Sequence, residues 1–331
     1  MSRWMASLCV LLPLAGCGVP DWWLGAEQGT LFQGFDAVVR PGEPATLRIS
    51  LRGGKRLAGL SDYTIFLYDD ARRRIGVAKT DAQGDALFTV TQPEPGLYRY
   101  QAEVDQSEVG AANVPTAMMQ AGVFDPQTRF LFIDLDGTIV GQGFDMALLA
   151  DSEPMPHARE VIAELAPRYQ PLYLTGRPEY LGRRSRQWLQ DHHLPPGPLI
   201  VSRVDQYAQG VESYRKQVIG GLQKSFPQKH AAIGDKPWDI RAYAATGVTS
   251  LLIVQTQEES TRRATAALIK VLKGLPPQTH VVTDWLQVRQ VLMGQASYPL
   301  EDMLERLESQ ASGEPDTRDE ETTPEKPEDQ P

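Results

Sequence analysis

From Arg129 onward the sequence settles into one rhythm, which limits the possible folds more than any other feature of the chain. Short apolar runs at 130–134, 171–175, 198–202, 230–234 and 249–254 are separated by amphipathic stretches at 156–167, 178–192, 211–225 and 236–246. Strands that are always separated by a helix pair in parallel, because parallel neighbours need a crossover connection. The alternation predicts a three-layer α/β domain with helices on both faces of a parallel sheet. Ligands of such sheets bind beyond the carboxyl ends of the strands. Here those ends are polar: Asp134 and Asp136 after the first, Thr175-Gly176-Arg177 after the second, and Gly234-Asp235 after the fourth. The fold would gather them at one rim.

The first strand end is the most demanding. In Phe130-Leu131-Phe132-Ile133-Asp134-Leu135-Asp136-Gly137-Thr138, four apolar residues run into two carboxylates. Neither helix capping nor surface placement suits two acids at that point. If the chain stays extended they fall on the same side. Close carboxylates repel, and a hard, oxygen-seeking cation such as Mg²⁺ relieves that. A carboxylate fixed at a strand end can attack phosphorus and form an aspartyl-phosphate. Asp134 is the candidate nucleophile. Asp136 is the candidate acid and base, protonating the leaving oxygen and then deprotonating water.

Asp134-Leu135-Asp136-Gly137-Thr138 resembles the first motif of the haloacid dehalogenase superfamily. Thr175 matches the second motif, Lys216 lies on a helix where the third is expected, and Gly234-Asp235-Lys236-Pro237-Trp238-Asp239 resembles the acidic fourth. All four stand in order across residues 130–240. The resemblance implies a capless Rossmannoid phosphatase domain with Mg²⁺ held by Asp134, the backbone carbonyl of Asp136 and Asp235, and with Asp239 as a ligand or just behind one. It implies Thr175, with Gly176 and Arg177, on the substrate phosphate, and Lys216 as the compensating charge. Plainer readings stand beside these. Asp235 can cap a helix, Thr175 can be a turn residue, and Lys216 can be a solvated charge with Arg215 as the working cation. His192 and His193 read as a helix C-terminus rather than as zinc ligands, since no cysteine or acid cluster accompanies them.

A narrower likeness runs through residues 129–290. The stretches YLTGRPEYLGRRSRQWLQDHHLPPGPLIV and AAIGDKPWDIRAYAATGVTSLLIV are similar to the lipin-type phosphatidate phosphatase domain. They are closer still to its relative at the C-terminus of phosphatidylinositol transfer proteins of the retinal-degeneration type. Within that group, members without the first aspartate sense phosphatidic acid and do not hydrolyse it. Asp134 and Asp136 are both present here, which implies an enzyme, with a non-catalytic binder of anionic lipid or phosphorylated glycan as the alternative. A phosphatase of a non-lipid substrate shares the same chemistry. The intervals from Asp136 to Thr175 and from Thr175 to Lys216 are consumed by the expected core elements. They leave no room for a folded cap, so the site should be open to a bulky substrate.

The rest of the chain frames this domain. Residues 29–125 carry short alternating strands with Gly, Asp and Pro between them, the pattern of a β-sandwich resembling immunoglobulin-like or transthyretin-like modules. A phosphatase-like domain over 126–295, a helical extension over 296–312 and a tail over 313–331 follow. The formal charge is −9, which disfavours nucleic acid as a partner. The tail holds eight acids against Arg318 and Lys326, so it supplies −6 of that charge, and its composition predicts disorder. At the start, an apolar run too short to span a bilayer leads to Leu14-Ala15-Gly16-Cys17, which resembles a bacterial lipobox. Cleavage after residue 16 would leave lipid on Cys17 and a tether over 17–28. Gly18 after it points to the outer membrane, on the periplasmic side of a bacterial envelope. An ordinary signal peptide is the alternative. The P-type ion pumps share the first motif but need several membrane spans, which this sequence lacks.

Overall fold

The computed structural model describes residues 30–54, 57–109, 114–141, 152–203, 206, 209–255 and 262–312. Cys17, the residues before it and the tail over 313–331 lie outside the described residues.

The N-terminal module is built from strands that alternate strictly enough to face a core on one side. They are β1 (Thr30–Gly34), β2 (Ala37–Val39), β3 (Pro44–Gly53), β4 (Ala58–Gly59), β5 (Thr64–Asp69), β6 (Arg74–Lys79), β7 (Asp85–Thr91), β8 (Gly96–Val104) and β9 (Ala117–Val123). β3 carries β1 along one edge and β7 then β4 along the other. The second sheet runs β2-β9-β8-β5-β6, antiparallel except for β2 beside β9. The period of two in β3 sends Ala45, Leu47, Ile49 and Leu51 into the space between the sheets, where Ile65, Leu67, Tyr100, Ala102, Met119 and Ala121 meet them. Ile75 to Val90 reads as two strands about one turn. The turn is there, with the N–H groups of Gln83 and Asp85 donating to Asp81 Oδ1 at 2.8 and 2.9 Å. Its two strands nevertheless join different sheets, so the turn is a corner of the sandwich.

The second module follows the alternation seen in the sequence. Its elements are β10 (Phe130–Ile133), α1 (Ala158–Leu165), β11 (Gln170–Pro178), α2 (Gly182–Asp191), β12 (Leu199–Ser202), α3 (Val211–Ser225), β13 (Ala231–Gly234), α4 (Pro237–Ala245), β14 (Thr249–Ile253), α5 (Arg262–Leu272), β15 (His280–Val282), α6 (Trp285–Met293) and α7 (Leu300–Ser312). The sheet order is β12-β11-β10-β13-β14-β15, and every pair is parallel. Chain order reverses between β10 and β13, which opens a crevice at their carboxyl ends.

β10 shows why the sheet is buried on both faces. Leu131 and Ile133 join Val161, Ile162, Trp285 and Val288 on one side. Phe130 and Phe132 join Tyr214, Ile219, Ile240, Tyr243, Leu300 and Met303 on the other. The C-terminal helix α7 is therefore built into this second layer rather than appended to it. The two modules also share apolar contact. Phe35 packs on the first of these cores, and Phe124, Val38 and Leu97 pack in or on the second. No helix among the described residues is long and apolar enough to cross a membrane.

One boundary differs from the sequence pattern. The second strand does not stop at Thr175 but continues to Pro178, and α2 begins only at Gly182, after a 3-10 turn over Glu179–Leu181. The register against β12 shifts between Leu174 and Pro178. Pro178 lacks a backbone N–H and is tolerated at such an irregular strand end. An irregular register re-aims side chains, and the residues it re-aims are Thr175, Gly176 and Arg177.

Candidate active site at the sheet switch point

Asp134 follows the last residue of β10, and its backbone N–H still donates to Ile233 O of β13 at 3.1 Å. The sheet thus fixes its Cα before its side chain does anything. The turn after it folds tightly. Ile139 and Val140 N–H both return to Leu135 O, at 3.0 and 2.9 Å, and Trp285 Nε1 donates to Thr138 O at 3.0 Å. Gly137 has φ +77°, and a Cβ there would overlap the Asp235 carboxylate. Gly234 has a similar role on the neighbouring strand, since its Cβ would sit 2.9 Å from Asp239 Oδ2. Both glycines are required by close approach to an acid.

Three acids converge on the crevice. Single carboxylate oxygens of Asp134, Asp235 and Asp239 lie within 4.8 Å of one another. Asp134 and Asp239 are buried, and Asp235 is nearly so. α4 starts at Pro237 with Lys236 in the capping position, so Asp235 precedes the cap instead of serving as it. Asp239 lies in the first turn of that helix, where the dipole favours a negative charge. Burial pushes the Asp134 carboxyl above its usual range, and Arg215 pulls against it. Burial lifts Asp235 to about 7 and Asp239 well above the carboxylate range.

On α3 the cation among these acids is Arg215, not Lys216, and Lys236 beside it pairs with Asp235. Arg215 Nη2 donates to Asp134 Oδ1 at 2.7 Å, and its Nε lies 2.8 Å from Asp239 Oδ1. Nη1 donates to Leu174 O at 2.6 Å and to Tyr243 Oη at 3.1 Å. Desolvation opposes the charge, but Asp239, Tyr243 and Asp134 outweigh it and hold Arg215 protonated. Lys216, in the position of the third motif, turns to solvent and pairs with Glu212 at 2.8 Å. Helix phase explains the exchange. Tyr214, Arg215 and Ile219 are the buried residues of α3, and Lys216 falls on the outer face one turn from Glu212. That phase is visible in the sequence, where Ile219 stands four residues after Arg215.

Asp136 and Arg177 meet each other. Arg177 Nε donates to Asp136 Oδ2 at 2.8 Å and Nη2 donates to Oδ1 at 2.6 Å, a two-pronged pair. Arg177 is buried, and its remaining fork donates to Ser185 Oγ at 2.9 Å. The Asp136 side chain therefore faces a guanidinium and is not one of the three converging acids, though its charge acts on Asp134 and Asp235. Thr175 is fully buried, and its Oγ1 accepts the N–H of Arg177 at 3.1 Å, with no acceptor for its hydroxyl proton among the described residues. Gly176 O accepts Ser202 Oγ at 3.1 Å. His192 caps the end of α2 with its ring on Trp188 at 4.7 Å. The span that bears on openness, residues 142–151, lies outside the described residues.

The acid cluster fits a hard divalent cation. Asp235 Oδ1 and both Asp239 oxygens are buried with no hydrogen bond donor among the described residues, since the Arg215 Nε–H is close to Asp239 but not aimed at it. Three oxygen donors this near, all resisting ionisation, are what Mg²⁺ would stabilise as anions.

Comparison with curated proteins gives no match. Among solved structures, the CARDB domain of the PF1109 protein from Pyrococcus furiosus is 14% identical, with a TM-score of 0.23 over 30% of this chain and 92% of that one. A conjugative transposon lipoprotein from Bacteroides eggerthii is 12% identical, with a TM-score of 0.18 over 29% of this chain and 95% of that one. A beta-glucuronidase from Parabacteroides merdae is 10% identical, with a TM-score of 0.26 over 76% and 39%. Residues 131–254, which hold Asp134, Asp136, Thr175, Arg177, Arg215, Asp235 and Asp239, match the family model described as PITM 1-3, LNS2 domain.

Proposed function

We propose that this chain is a Mg²⁺-dependent phosphomonoester hydrolase of the haloacid-dehalogenase type, working through an aspartyl-phosphate on Asp134. The observation that carries the reading is the meeting of Asp134, Asp235, Asp239 and Arg215 at the switch point of a parallel sheet. Asp134 attacks phosphorus, and the P–O bond to the leaving group breaks. Asp136 gives its proton to the departing oxygen. Asp136 then takes a proton from water as that water attacks the phosphorus of the acyl phosphate. Inorganic phosphate leaves and Asp134 is restored. Arg215 fixes the orientation of Asp134 and balances its charge. The Thr175 hydroxyl is free to donate to a phosphate oxygen. Asp134, Asp235 and Asp239 would hold Mg²⁺, which when bound neutralises phosphate charge.

The proposed substrate is a lipid phosphomonoester such as phosphatidic acid, at the bacterial envelope. The match to the LNS2 domain model supports the lipid substrate. The lipobox-like Leu14-Ala15-Gly16-Cys17 supports the envelope location, with Cys17 as the lipid anchor. A second reading is favoured by one observation: Arg177 engages both oxygens of Asp136. A site in which Asp136 never leaves that pair lacks a general acid and would grip a phosphate without turning it over. The test is phosphate release from phosphatidic acid vesicles, soluble sugar phosphates and nucleotides with and without Mg²⁺. Hydrolysis that is lost in Asp134→Asn, with the melting curve retained, is the expected result. Vesicle binding with no release from any substrate would leave the binding reading instead.

A further inference from the structure

The acids and cations of the proposed chemistry all belong to the α/β module, yet one buried charge beside them is neutralised from outside it. Glu179 lies two residues beyond Arg177 and is almost inaccessible to solvent. A carboxylate in that position needs cationic partners. Both come from β3 of the N-terminal sandwich: Arg48 Nη2 at 3.4 Å and Arg52 Nη2 at 3.6 Å. The same two guanidiniums reach Asp85 of β7 at 3.1 and 3.6 Å, and Ser50 Oγ donates to Asp85. Two acids and two arginines close a largely buried, charge-balanced cluster across the module boundary, with the arginines at its rim partly exposed. Arg48 also lies over the ring of Phe35 at 3.6 Å, and Phe35 packs against the α/β core.

The other end of the segment is tied down from the same side. Asp36, in the turn between β1 and β2, is fully buried. It accepts from Arg186 Nη2 of α2 at 2.7 Å, from Gln120 N at 2.7 Å and from Leu199 N at 2.8 Å. Gly182, at the start of α2, lies so close to Gln33 of β1 that a Cβ would approach the Gln33 amide to 3.0 Å. The stretch from 179 to 186 is thus clamped at both ends by the sandwich. Within it, Ser185 accepts from Arg177, and Arg177 holds both oxygens of Asp136.

We propose that the N-terminal sandwich is a working component of the site. The Arg48–Arg52–Asp85–Glu179 cluster positions Arg177, and through Arg177 the Asp136 carboxylate. Glu179, Arg48 and Arg52 are positioning residues, since none of them touches the acid cluster. What Asp136 does once positioned rests on the phosphatase reading, whereas the positioning itself does not. The physical reason is geometric. A carboxylate held by a two-pronged guanidinium has a fixed plane. The guanidinium is only as well placed as the strand end that carries it. That strand end departs from its regular ladder to β12 between Leu174 and Pro178, where Ser202 Oγ holds the Gly176 and Arg177 carbonyls and the sandwich arginines hold Glu179.

The experiment follows the Arg177 Nε–H resonance of the full chain by nitrogen-15 NMR, assigned through its loss in Arg177→Lys. In the wild type this proton is expected to exchange slowly, because it is bound to Asp136. In Glu179→Gln, and in the milder Arg52→Met should the first not fold, its exchange is expected to rise about tenfold or more while cooperative melting persists. In parallel, kcat on p-nitrophenyl phosphate should fall roughly ten- to a hundredfold, as a small misplacement of a reacting group does, with KM little changed. Glu179→Gln should cost nothing further in the Arg177→Lys background. An unchanged Arg177 resonance in either folded variant, or additive losses in the double variant, would overturn the proposal. If the wild type releases no phosphate, the phosphatase reading fails on its own, and the resonance still decides the positioning.

Discussion

A single position on α3 separates a surface charge from a buried one. Lys216 and Arg215 are neighbours in sequence, and motif order alone points to Lys216. The structure gives Lys216 an exposed pair with Glu212, whereas Arg215 is buried between Asp134 and Asp239. Exposed pairs one helical turn apart contribute about 0.3–0.5 kcal/mol. Lys216→Met should therefore leave turnover unchanged and alter unfolding free energy by no more than that in denaturant melts. Arg215→Met strands two buried acids, and breaking such a pair costs about 3–5 kcal/mol. It should lower stability by that order and remove phosphate release. Gly137 makes a second test at this scale. Its φ of +77° and the Asp235 carboxylate beside it leave no space for a methyl group. Gly137→Ala should cost about 1–3 kcal/mol, read as a lower melting temperature, and should weaken the stabilisation that added Mg²⁺ gives.

At the level of elements, the sequence was most informative where periodicity and burial coincide. The five apolar runs are β10, β11, β12, β13 and β14, and the stretches between them are the first four helices. α5, β15 and α6 lie beyond the elements the sequence pattern gives, and β15, with three residues, is too short to show a period. The extension of β11 to Pro178 was hidden for a different reason. It is held by Ser202 Oγ on the Gly176 and Arg177 carbonyls, and Glu179 just beyond it pairs with Arg48 and Arg52 about 130 residues away in sequence, contacts that no local pattern records. The joint between α3 and β13 carries a prediction of its own. His230 is buried, its Nδ1 accepts Phe130 N–H at 3.1 Å and its Nε2 faces Phe226 O at 2.8 Å. That arrangement needs a neutral ring with the proton on Nε2. Burial, with a contribution from Arg129, holds its pKa below the ordinary value. The unfolded chain thus takes up the proton first as pH falls. The stabilisation is complete above about pH 6.5 and is lost as the pH drops through the folded value. Unfolding free energy measured between about pH 7.5 and 5 should fall more steeply in the wild type than in His230→Asn, and parallel profiles would contradict this.

On the scale of the whole molecule, the pattern predicts two modules, and the structure adds that they are not independent. Phe35, Val38, Leu97 and Phe124 come from the sandwich region and pack in or on the cores of the α/β module. Asp36 ties β9, β12 and α2 together. Loss of the helical circular dichroism signal and loss of amide protection in β3 should therefore coincide in a denaturant titration. Asp36→Ala leaves the Arg186 charge and two backbone donors unpaired, and should cost about 3–5 kcal/mol and separate the two transitions. The sequence could reveal the rim because strand ends are local. It could not reveal what the sandwich does to that rim, because the joining charges are spread over β3, β7 and the loop after β11. A rim built for phosphoryl transfer to Asp134 must pass through an aspartyl-phosphate, which can be trapped. A phosphorus-32-labelled phosphomonoester is mixed with the protein and Mg²⁺, quenched in acid within one turnover, and the peptides are mapped by mass. Label is expected on the peptide that holds Asp134 and is expected to be absent in Asp134→Asn. Turnover with label on another residue, or no turnover of any phosphomonoester, would contradict phosphoryl transfer to Asp134.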